Sequence, residues 1–453
     1  MDELRIYILT ANCARNIIDV DLFAKHLFDA LPDSGAGSFG APDLIVFSLQ
    51  EIAPIAYSFL GGSYLTPFYD AFVKAVKQAT VQQWDESYVN LVKDNTGMTA
   101  LMVFARAEIT DKISWIDTAH VGFGVQDMGN KGAVGARLGY VAGGHPSKTV
   151  DLTFVAAHLA PMENALEQRN LDWRSIVERL VFSKQDEASK PLDGEQSSTD
   201  ENTALLGEEN ASHHSNSNRR GLFAPNAYVF VAGDLNYRTS NDAPSKQDVS
   251  HFPRRDVDND HPAHYSHLLK QDQLVREMRQ GNSFHGLSEA PIEFPPTYKY
   301  SDEARKAARL GIDVEHAEWK WSSHRWPSWC DRVLYLDAPS RVGDQGRVKP
   351  HAYNALPLFP QSDHRPVALA VSVPLDHATS ASLAARKPAD RKAVTPFEID
   401  PSWKSRRDTA RRKEILVGFM AYLSLTWEGN GLLLASALGM VGAWVVLRSL
   451  WGL

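Results

Sequence analysis

Short apolar runs recur along the first 375 residues, and their make-up is typical of buried strands. Each run extends for seven to ten residues, is rich in β-branched and aromatic side chains, and is bounded by polar turns. Eight runs are predicted as strands, namely 5–12, 44–51, 100–106, 132–141, 151–158, 228–236, 332–338 and 367–373. Helical patterns lie between them, such as the one that places Leu166, Trp173 and Val177 on one face. This alternation predicts an α/β sandwich.

Two polar segments interrupt the pattern, and both are predicted to be disordered. Residues 183–226 have no apolar period and change from acidic to basic, which is typical of an insertion loop. Residues 376–414 contain ten Lys or Arg and six Asp or Glu, which indicates a flexible basic linker. The chain is thus predicted to consist of a globular domain at 1–375, the linker, and a hydrophobic stretch at 415–453.

The composition limits the possible function classes. With 453 residues, 43% of them hydrophobic, the chain is large enough for the core of an enzyme. Two cysteines are too few for a disulfide framework, and no signal peptide is evident at the N-terminus, so we expect folding in a reducing compartment. The net charge is −8, and an acidic body argues against nucleic acid as a partner.

Polar side chains capable of chemistry stand at the ends of six predicted strands. In chain order they are Asn12, Glu51, His158, Asp234, Asn236, Asp331, Asp363 and His364. Ligands of α/β sheets bind beyond strand ends, where loops converge on a rigid frame. For any single Asp or Asn, a role in capping a turn is an equally good interpretation.

This set of side chains suits one kind of chemistry. Carboxylate and amide oxygens, without a Cys/His cluster at zinc spacing, favour Mg²⁺ as the metal. Histidines near a bound anion donate hydrogen bonds to phosphoryl oxygens, and an aspartate orients an attacking water. The glycine-rich loop 127–135, which contains Asn130 and Lys131, offers backbone amides and a lysine to a phosphate. We therefore expect metal-assisted hydrolysis of a phosphoester by direct attack of water.

Several motifs resemble those of a known family. "FVAGDLNYR" at 230–238 and "PSWCDRVLY" at 327–335 are similar to the two signature motifs of the magnesium-dependent inositol polyphosphate 5-phosphatases, in the endonuclease/exonuclease/phosphatase superfamily. "LQE", "NKGAVGAR", "AAHLA", "RNLDW", "PPTYKY" and "SDHRPV" also match that family, in its order. The resemblance covers roughly residues 4–373 outside the insertion loop. It implies the two-sheet α/β sandwich of that superfamily.

The resemblance implies roles for the first strand-end residues. Glu51 and Asn12 would hold Mg²⁺. Asp234 would orient the attacking water, and Asn236 would orient the scissile phosphate. Together these four residues would form the metal and water side of the site.

The remaining strand-end residues would act on the phosphate itself. His364 would contact the scissile phosphate, Asp331 would fix the His364 ring, and His158 would donate from the other side. Asp363 belongs to the same "SDH" motif and is counted with the catalytic residues. Arg332, beside Asp331, is expected to anchor its loop by an ion pair.

Substrate recognition is implied for a second group. Asn130 and Lys131 belong to the "NKGAVGAR" motif, and Tyr298, Lys299 and Arg325 match the family's contacts to the 4-phosphate of the inositol ring. The implied substrate is phosphatidylinositol 4,5-bisphosphate, which would lose its 5-phosphate.

The sequence departs from the family pattern at two of its positions. Ser323 stands where a lysine is usual, which weakens the expectation for the 4-phosphate. Met162 stands where a second histidine is usual, and it is expected to pack under a helix.

The C-terminal stretch predicts a membrane anchor. Residues 431–447 are 17 positions without a charge, just enough to span a bilayer. We expect a tail anchor with the catalytic domain facing the cytosol, most simply in the thinner endoplasmic reticulum membrane. The preceding apolar stretch, 415–427, is too short to span alone, and lying in the interface, extending the anchor and forming half of a hairpin all remain open.

Two rival functions belong to other classes. A nuclease or sphingomyelinase of the superfamily would share the metal and the Asp and His residues. A catalytically inactive membrane adaptor would share only the fold. The oligomeric state does not follow from the sequence.

Overall fold

The computed structural model describes residues 3–32, 39–142, 149–184, 220–311, 319–339, 346–375 and 395–451. Within these ranges the strands are β1 Glu3–Asn12, β2 Leu44–Gln50, β3 Tyr88–Thr96, β4 Thr99–Arg106, β5 Ile113–Gly122, β6 Gly132–Val141, β7 Thr149–His158, β8 Ser183–Lys184, β9 Ala227–Asp234, β10 Leu287–Ser288, β11 Asp331–Leu336, β12 Lys349–Ala355 and β13 Val367–Pro374. The helices are α1 Val20–His26, α2 Ile55–Leu60, α3 Thr66–Trp84, α4 Leu166–Arg179, α5 Tyr265–Leu269, α6 Gln273–Gln280, α7 Asp302–Leu310, α8 Trp403–Leu425 and α9 Trp427–Trp451.

The strands form two mixed sheets that pack face to face, which confirms the predicted sandwich. The first sheet has the order β12-β13-β1-β2-β4-β3, and the second has the order β10-β11-β9-β7-β6-β5-β8. Each sheet contains one parallel pair, β1 with β2 and β7 with β9, and its other pairs are antiparallel. Because these two pairs are parallel, their carboxyl ends lie at the same edge of each sheet.

Side-chain alternation along the central strands produces a layered molecule. In β1, Ile6 and Ile8 enter the core between the sheets, whereas Tyr7 and Leu9 enter a second core that faces α1 and α3. The outer face of the second sheet packs against α4, whose Trp173 stacks on Phe284 with ring centres 4.4 Å apart. The central strands are therefore covered on both faces, which is why they read as continuous apolar runs.

All eight predicted strands are present, with ends that differ by at most two residues. The strands that prediction missed, β3, β5, β8, β10 and β12, lie at or next to a sheet edge. In β3 and β12 most residues are exposed or half-buried, and many are polar. Since one face of these strands meets solvent, their sequences contain no apolar run for the pattern to detect.

The predicted insertion loop is wrong at both of its ends. Ser183 pairs with Thr118 of β5 as part of strand β8. At the other end, Leu222 is buried, and Arg137 donates to the carbonyl oxygens of Gly221 and Leu222. A buried arginine holds this segment through its backbone, an interaction that leaves no apolar period in the sequence. Residues 185–219 lie outside the described ranges.

The predicted flexible linker is wrong for its last part. Residues 403–414 form the first half of helix α8, which packs against the globular domain. Arg406 forms an ion pair with Asp127, and the helix approaches α2 closely enough that a Cβ on Gly418 would lie 2.8 Å from Phe59. The basic residues of this segment therefore include partners of the domain surface. Residues 376–394 lie outside the described ranges.

Helix α9 is the one described helix long and apolar enough to cross a membrane. It has 25 residues, and an 18-residue window has a mean hydropathy of 1.8 with none of it buried. The charge-free stretch 431–447 lies inside this helix. Trp427, its first residue, is 91% exposed. The second half of α8 also exposes large apolar side chains, among them Leu416, Phe419 and Met420.

Candidate active site

Strand ends from both sheets meet at one edge of the sandwich. In the first sheet, β1 ends at Asn12 and β2 ends just before Glu51. In the second sheet, β7 ends at His158, which pairs with Asp234 of β9, and β11 begins with Asp331 opposite Asp234. Asn12 Nδ2 donates to Asp234 Oδ2 at 3.0 Å, so this bond joins the two sheets where their strands end.

His364 lies between two buried aspartates. Its Nδ1 is 2.8 Å from Asp331 Oδ2, and its Nε2 is 3.8 Å from Asp234 Oδ2. Thr297 Oγ1 donates to the same Asp331 oxygen at 2.7 Å. Burial alone would lower the pKa of His364, but the carboxylates of Asp331 and Asp234 outweigh it and raise the pKa to about 9. The ring is therefore protonated at neutral pH and can donate to an anion.

Asp234 stays ionised although only 2% of it is exposed. Burial raises the pKa of this carboxyl group, but His364, His158 and Lys131 together bring it far below the usual range. Its Oδ1 has no hydrogen-bond partner among the described residues. A carboxylate of such low pKa is a weak base, so its chemistry here is to accept a hydrogen bond or to bind a cation.

His158 and Lys131 lie on the other side of Asp234. His158 Nε2 is 3.4 Å from Asp234 Oδ2, and Lys131 Nζ is in hydrogen-bond contact with the same ring nitrogen. Burial and the charge of Lys131 both lower the pKa of His158. His158 is therefore a neutral imidazole at pH 7, in contrast to His364.

Glu51 occupies a strained backbone position directly after β2. Its φ is 47°, and its Oε2 accepts from Arg15 Nε at 2.8 Å. Burial raises its pKa, but His158, Arg15 and Lys131 outweigh burial, so the net pKa lies below the usual value. The side chain keeps 22% of its surface exposed, so its carboxylate is both ionised and accessible.

The oxygens at this edge fit a hard divalent cation. Glu51, the Asn12 amide oxygen and the unpartnered Oδ1 of Asp234 are the donor type that Mg²⁺ prefers. Asp234, Asp331 and His364 also lie within 4.8 Å of one another. His364 is a poor ligand, however, because its ring is protonated and bound to Asp331. The Glu51 side of Asp234 is therefore where the donor set would best fit a cation.

Asn236 is held by its surroundings on both sides. Its φ is 58°, its Oδ1 accepts from Arg238 Nη2 at 2.6 Å, and its Nδ2 donates to the carbonyl oxygen of Leu159 at 3.1 Å. The guanidinium of Arg238 lies 4.6 Å from the ring centre of Tyr298. One N–H of the Asn236 amide is used by Leu159, which leaves the second for a ligand.

Tyr298 and Lys299 lie next to His364. The ring centres of Tyr298 and His364 are 4.4 Å apart, and Lys299 Nζ forms an ion pair with Asp363. Asp363 therefore orients Lys299, whereas the aspartates on His364 are Asp331 and Asp234. About a third of the Lys299 side chain is exposed, so it can reach a bound anion.

Arg325 is held by a buried carboxylate that sequence reasoning did not identify. Glu163 Oε2 is 3.8 Å from Arg325 Nη1, and Glu163 Oε1 is 4.0 Å from Arg238 Nη1. The expectation that Met162 packs under a helix is wrong. Its side chain is 44% exposed, and its Sδ accepts from Arg325 Nη2 at 3.3 Å. A φ of 77° in this turn directs Met162 outward, while its carbonyl oxygen is bound by Arg169.

Comparisons with known proteins identify the family of the chain. Residues 9–370 match the model of endonuclease/exonuclease/phosphatase family 2. The chain belongs to this family. It is 30% identical to type II inositol polyphosphate 5-phosphatase 15 of Arabidopsis thaliana over 63% of this chain and 24% of that protein. It is 27% identical to the polyphosphatidylinositol phosphatase INP53 of Saccharomyces cerevisiae over 72% of this chain and 23% of that protein.

A solved structure supports the fold. The inositol polyphosphate 5-phosphatase domain of SPsynaptojanin, in complex with inositol (1,4)-bisphosphate and calcium ion, aligns over 91% of this chain and 90% of that chain, with a TM-score of 0.55 and 22% identity. The chain spans about a quarter of the length of the two curated relatives, so the similarity concerns only that part of each.

Asn130 and Arg332 are the predicted residues whose described contacts lie with the surrounding backbone and with an ion pair. Asn130 packs against the backbone of Gly124, where a Cβ on Gly124 would lie 2.0 Å from Asn130 Oδ1. It makes no hydrogen bond to the buried carboxylates within the described ranges. Arg332 forms the predicted ion pair, fully buried, with Asp272 and Glu289.

Some residues of the site were not predicted because their sequence signal is weak. Arg15 binds Glu51, Thr297 binds Asp331, and Glu163 lies between two arginines. Each lies in a loop, outside the set of strand-end residues from which the site was predicted. Thr297 belongs to the "PPTYKY" motif, the only one of the three with a signal that could have identified it.

Replacing Asp331 with Asn should lower the pKa of His364. The substitution removes the carboxylate that contributes most to raising this pKa, while burial still lowers it, so the value should fall from about 9. The pKa is read from the ring signals of His364 in an NMR titration with chelator present. Asp94→Asn is the matched control, because it removes the partner of the distant His120.

The stability of the folded chain should depend on the protonation of His364. In the native chain the raised pKa of His364 contributes stability that is complete below about pH 6.5 and is lost as pH rises through about 9. Asp331→Asn should remove this dependence. A His364 pKa that stayed near 9 in the variant would mean that Asp234, and not Asp331, raises it.

Proposed function

We propose that the chain is a magnesium-dependent phosphoinositide 5-phosphatase that removes the 5-phosphate of phosphatidylinositol 4,5-bisphosphate at a membrane surface. The observation that carries this proposal is the cluster in which Asp234 meets Asn12, His158 and His364 between the two sheets. The printed names of the relatives, an inositol polyphosphate 5-phosphatase and a polyphosphatidylinositol phosphatase, support the substrate class.

Asp234 orients the attacking water. Its low pKa keeps it an acceptor, and Oδ1 is available to a water positioned for attack on phosphorus. Asn12 fixes the other oxygen, so the carboxylate cannot rotate freely. As the oxygen of this water bonds to phosphorus, the bond from phosphorus to the inositol oxygen breaks. One proton of the water stays on the released phosphate and the other ends on the inositol hydroxyl, so Asp234 remains a carboxylate.

The scissile phosphate is bound by donors on both sides. His364 offers an Nε2 proton and a full positive charge, and Asp331 holds the ring in place through Nδ1. Lys131 and the free N–H of Asn236 complete the set. These groups stabilise the charge that develops on the phosphoryl oxygens during the reaction.

Glu51 and Asn12 are the residues that would hold Mg²⁺, and the bound ion would neutralise phosphate charge and polarise the phosphoryl group. Calcium ion in the complex of the SPsynaptojanin domain supports a divalent cation in this fold. Arg15 keeps the Glu51 carboxylate oriented.

Recognition of the 4-phosphate is assigned to Tyr298, Lys299 and Arg325. Asp363 orients Lys299, and Glu163 orients Arg325, so two carboxylates hold the two cations beside the catalytic histidine. Lys320, the lysine nearest to the Ser323 departure, pairs with Glu303 at 3.8 Å. The 4-phosphate is therefore bound by fewer cations here than the family pattern implies.

Two rival functions share parts of this site. A nuclease or sphingomyelinase would use the same Asp and His residues, and an inactive adaptor would need only the fold. Phosphate release with product identification, measured on phosphoinositides, soluble inositol phosphates, abasic DNA and sphingomyelin, separates the three. The 5-phosphate of a phosphoinositide should be released fastest.

We further propose that α9 anchors the protein in a membrane with the catalytic domain in the cytosol. The charge-free stretch of 17 residues in α9 spans about 25 Å at about 1.5 Å per residue, which suits the thin endoplasmic reticulum bilayer. The exposed apolar half of α8 would lie in the interface beside it, with Arg412 and Lys413 on the water side. Because α8 packs on the domain, the domain is held close to its own membrane.

Asp234→Asn should reduce turnover of phosphatidylinositol 4,5-bisphosphate by about two orders of magnitude or more, since it removes the acceptor that orients water. The measurement is magnesium-dependent phosphate release by folded protein. Asp242→Asn, an exposed aspartate in the following loop, is the control and should leave the rate unchanged. Undiminished release by Asp234→Asn would contradict the mechanism.

Lys299→Ala should weaken catalysis only on substrates that carry a 4-phosphate. The loss in kcat/KM should correspond to about 1.5 to 3 kcal/mol, as for a lost charge-assisted hydrogen bond. Phosphatidylinositol 4,5-bisphosphate is compared with a phosphoinositide that has a 5-phosphate and no 4-phosphate. Lys320→Ala is the control, and equal losses on both substrates would assign Lys299 to the fold or to the scissile phosphate.

Deleting residues 427–453 should release the protein from membranes while it retains activity on short-chain substrate. The full chain should resist extraction by alkaline carbonate, and its catalytic domain should be digested by protease added to intact microsomes. Protection from that protease would contradict the proposed topology. If the chain without residues 427–453 stayed with membranes after carbonate extraction, α8 would be the anchor.

A further inference from the structure

Helix α8 contacts the segment that carries Lys131 into the active site. Glu414, 4% exposed, accepts at Oε1 from the backbone N–H of Gly129 at 2.7 Å. Gly129 precedes Lys131 by two residues, and Lys131 contacts the catalytic ring of His158. A carboxylate 285 positions away in the sequence therefore holds the start of this loop.

The same carboxylate is connected to the metal side of the site. Gly129 accepts at its carbonyl oxygen from Met98 N at 3.0 Å, and Met98 accepts at its carbonyl oxygen from Ile52 N at 3.2 Å. Ile52 directly follows Glu51. A chain of three hydrogen bonds, one to the Glu414 side chain and two between backbone groups, thus leads from Glu414 through Gly129 and Met98 to Ile52, the residue beside Glu51.

The backbones of Gly97 and Gly129 pack together without room for a side chain between them. A Cβ on Gly97 would lie 2.2 Å from the carbonyl oxygen of Gly129, so the two backbones are in direct contact. Gly129 itself is buried. Its N–H would lose its partner without Glu414, and an unpaired buried amide is costly.

Arg411 extends the contact to α2. Its Nη1 donates to the carbonyl oxygen of Phe59 at 2.7 Å, its Nη2 donates to that of Leu60 at 3.2 Å, and it pairs with Glu414 Oε2 at 3.1 Å. These are terminal carbonyls of α2, which the helix itself cannot satisfy. One ion pair on α8 therefore binds two segments, one following Glu51 and one preceding Lys131.

We propose that Glu414 is a positioning residue for the reaction, which holds the Gly129 loop so that Lys131 meets His158 and the scissile phosphate. Helix α8 is then part of the active enzyme as well as the connection to α9. This inference rests on the proposed function for its kinetic readout. Because α8 continues into α9, the residue that positions the loop lies on the helix that leads to the proposed anchor.

Kinetics of the full chain in detergent micelles, on short-chain phosphatidylinositol 4,5-bisphosphate, provide the first test. Glu414→Ala should lower kcat by about tenfold with a smaller change in KM, because it acts through Lys131 on the reacting phosphate. Glu414→Gln keeps an oxygen for the Gly129 N–H and should stay within about threefold of the native rate. Arg412→Ala, an exposed neighbour on α8, is the matched control and should change neither constant.

A double-mutant cycle separates positioning from general destabilisation. In a Lys131→Ala background, Glu414→Ala should lower kcat further by less than about twofold. Its effect is transmitted through the Lys131 side chain, which is already absent in that background. If the kcat losses of the two single variants multiplied fully in the double variant, the proposal would be overturned. Native activity of Glu414→Ala, or equal losses of kcat in Glu414→Ala and Glu414→Gln, would also overturn it.

Hydrogen exchange provides a readout that needs no activity. The amides of residues 129–132 should exchange faster in Glu414→Ala than in the native chain or in Glu414→Gln, and unchanged exchange would overturn the proposal. If the native chain releases no phosphate from any substrate, the proposed function fails while this measurement still tests the loop. If Glu414→Ala does not fold, Glu414→Asp takes its place, because it keeps the charge and withdraws the acceptor by one methylene.

Discussion

The buried negative charge of Asp234 is the constraint on which the rest of the site depends. Removing a carboxylate from water costs several kcal/mol unless cations and donors replace the lost solvent. Here that replacement comes from Asn12 on one sheet and from His158, Lys131 and His364 around it. The charge is therefore stable only when both sheets and the loops that carry Lys131 and His364 are in place, which couples formation of the site to formation of the fold.

Strand β11 shows how the fold supports this balance. Successive residues of a strand point to opposite faces, so Asp331 and Arg332 serve different surroundings although they are neighbours in the chain. Asp331 faces His364 and accepts a hydrogen bond from its Nδ1, while Arg332 is fully buried between Asp272 and Glu289. The buried ion pair fixes the strand that carries Asp331. An acid and a base at one strand end thus serve different surroundings, one facing the candidate site and one inside the fold.

A second level of support comes from carboxylates that orient cations. Asp363 orients Lys299, Glu163 orients Arg325, and Glu414 with Arg411 joins α8 to α2 and to the Gly129 loop. In each case an anion reduces the freedom of a flexible loop or a long cationic side chain near the site, which lowers the entropy lost when a phosphate binds. The contacts that support the candidate site therefore extend to α8, a helix beyond the residues that match the family model.

The chain itself was sufficient to identify the central strands, the residues at their ends and the apolar C-terminal helix. A strand that is buried on both faces has a continuous apolar sequence, so a polar residue at its end is easily recognised. Asn12, Glu51, His158, Asp234, Asp331 and His364 were all recognisable in this way. Only the folded molecule could reveal the edge strands, the docking of residues 403–414, and the partners Arg15, Glu163 and Glu414. Those features depend on contacts between segments far apart in the chain, through single charges and backbone atoms, and such contacts leave no periodic pattern in the order of the residues.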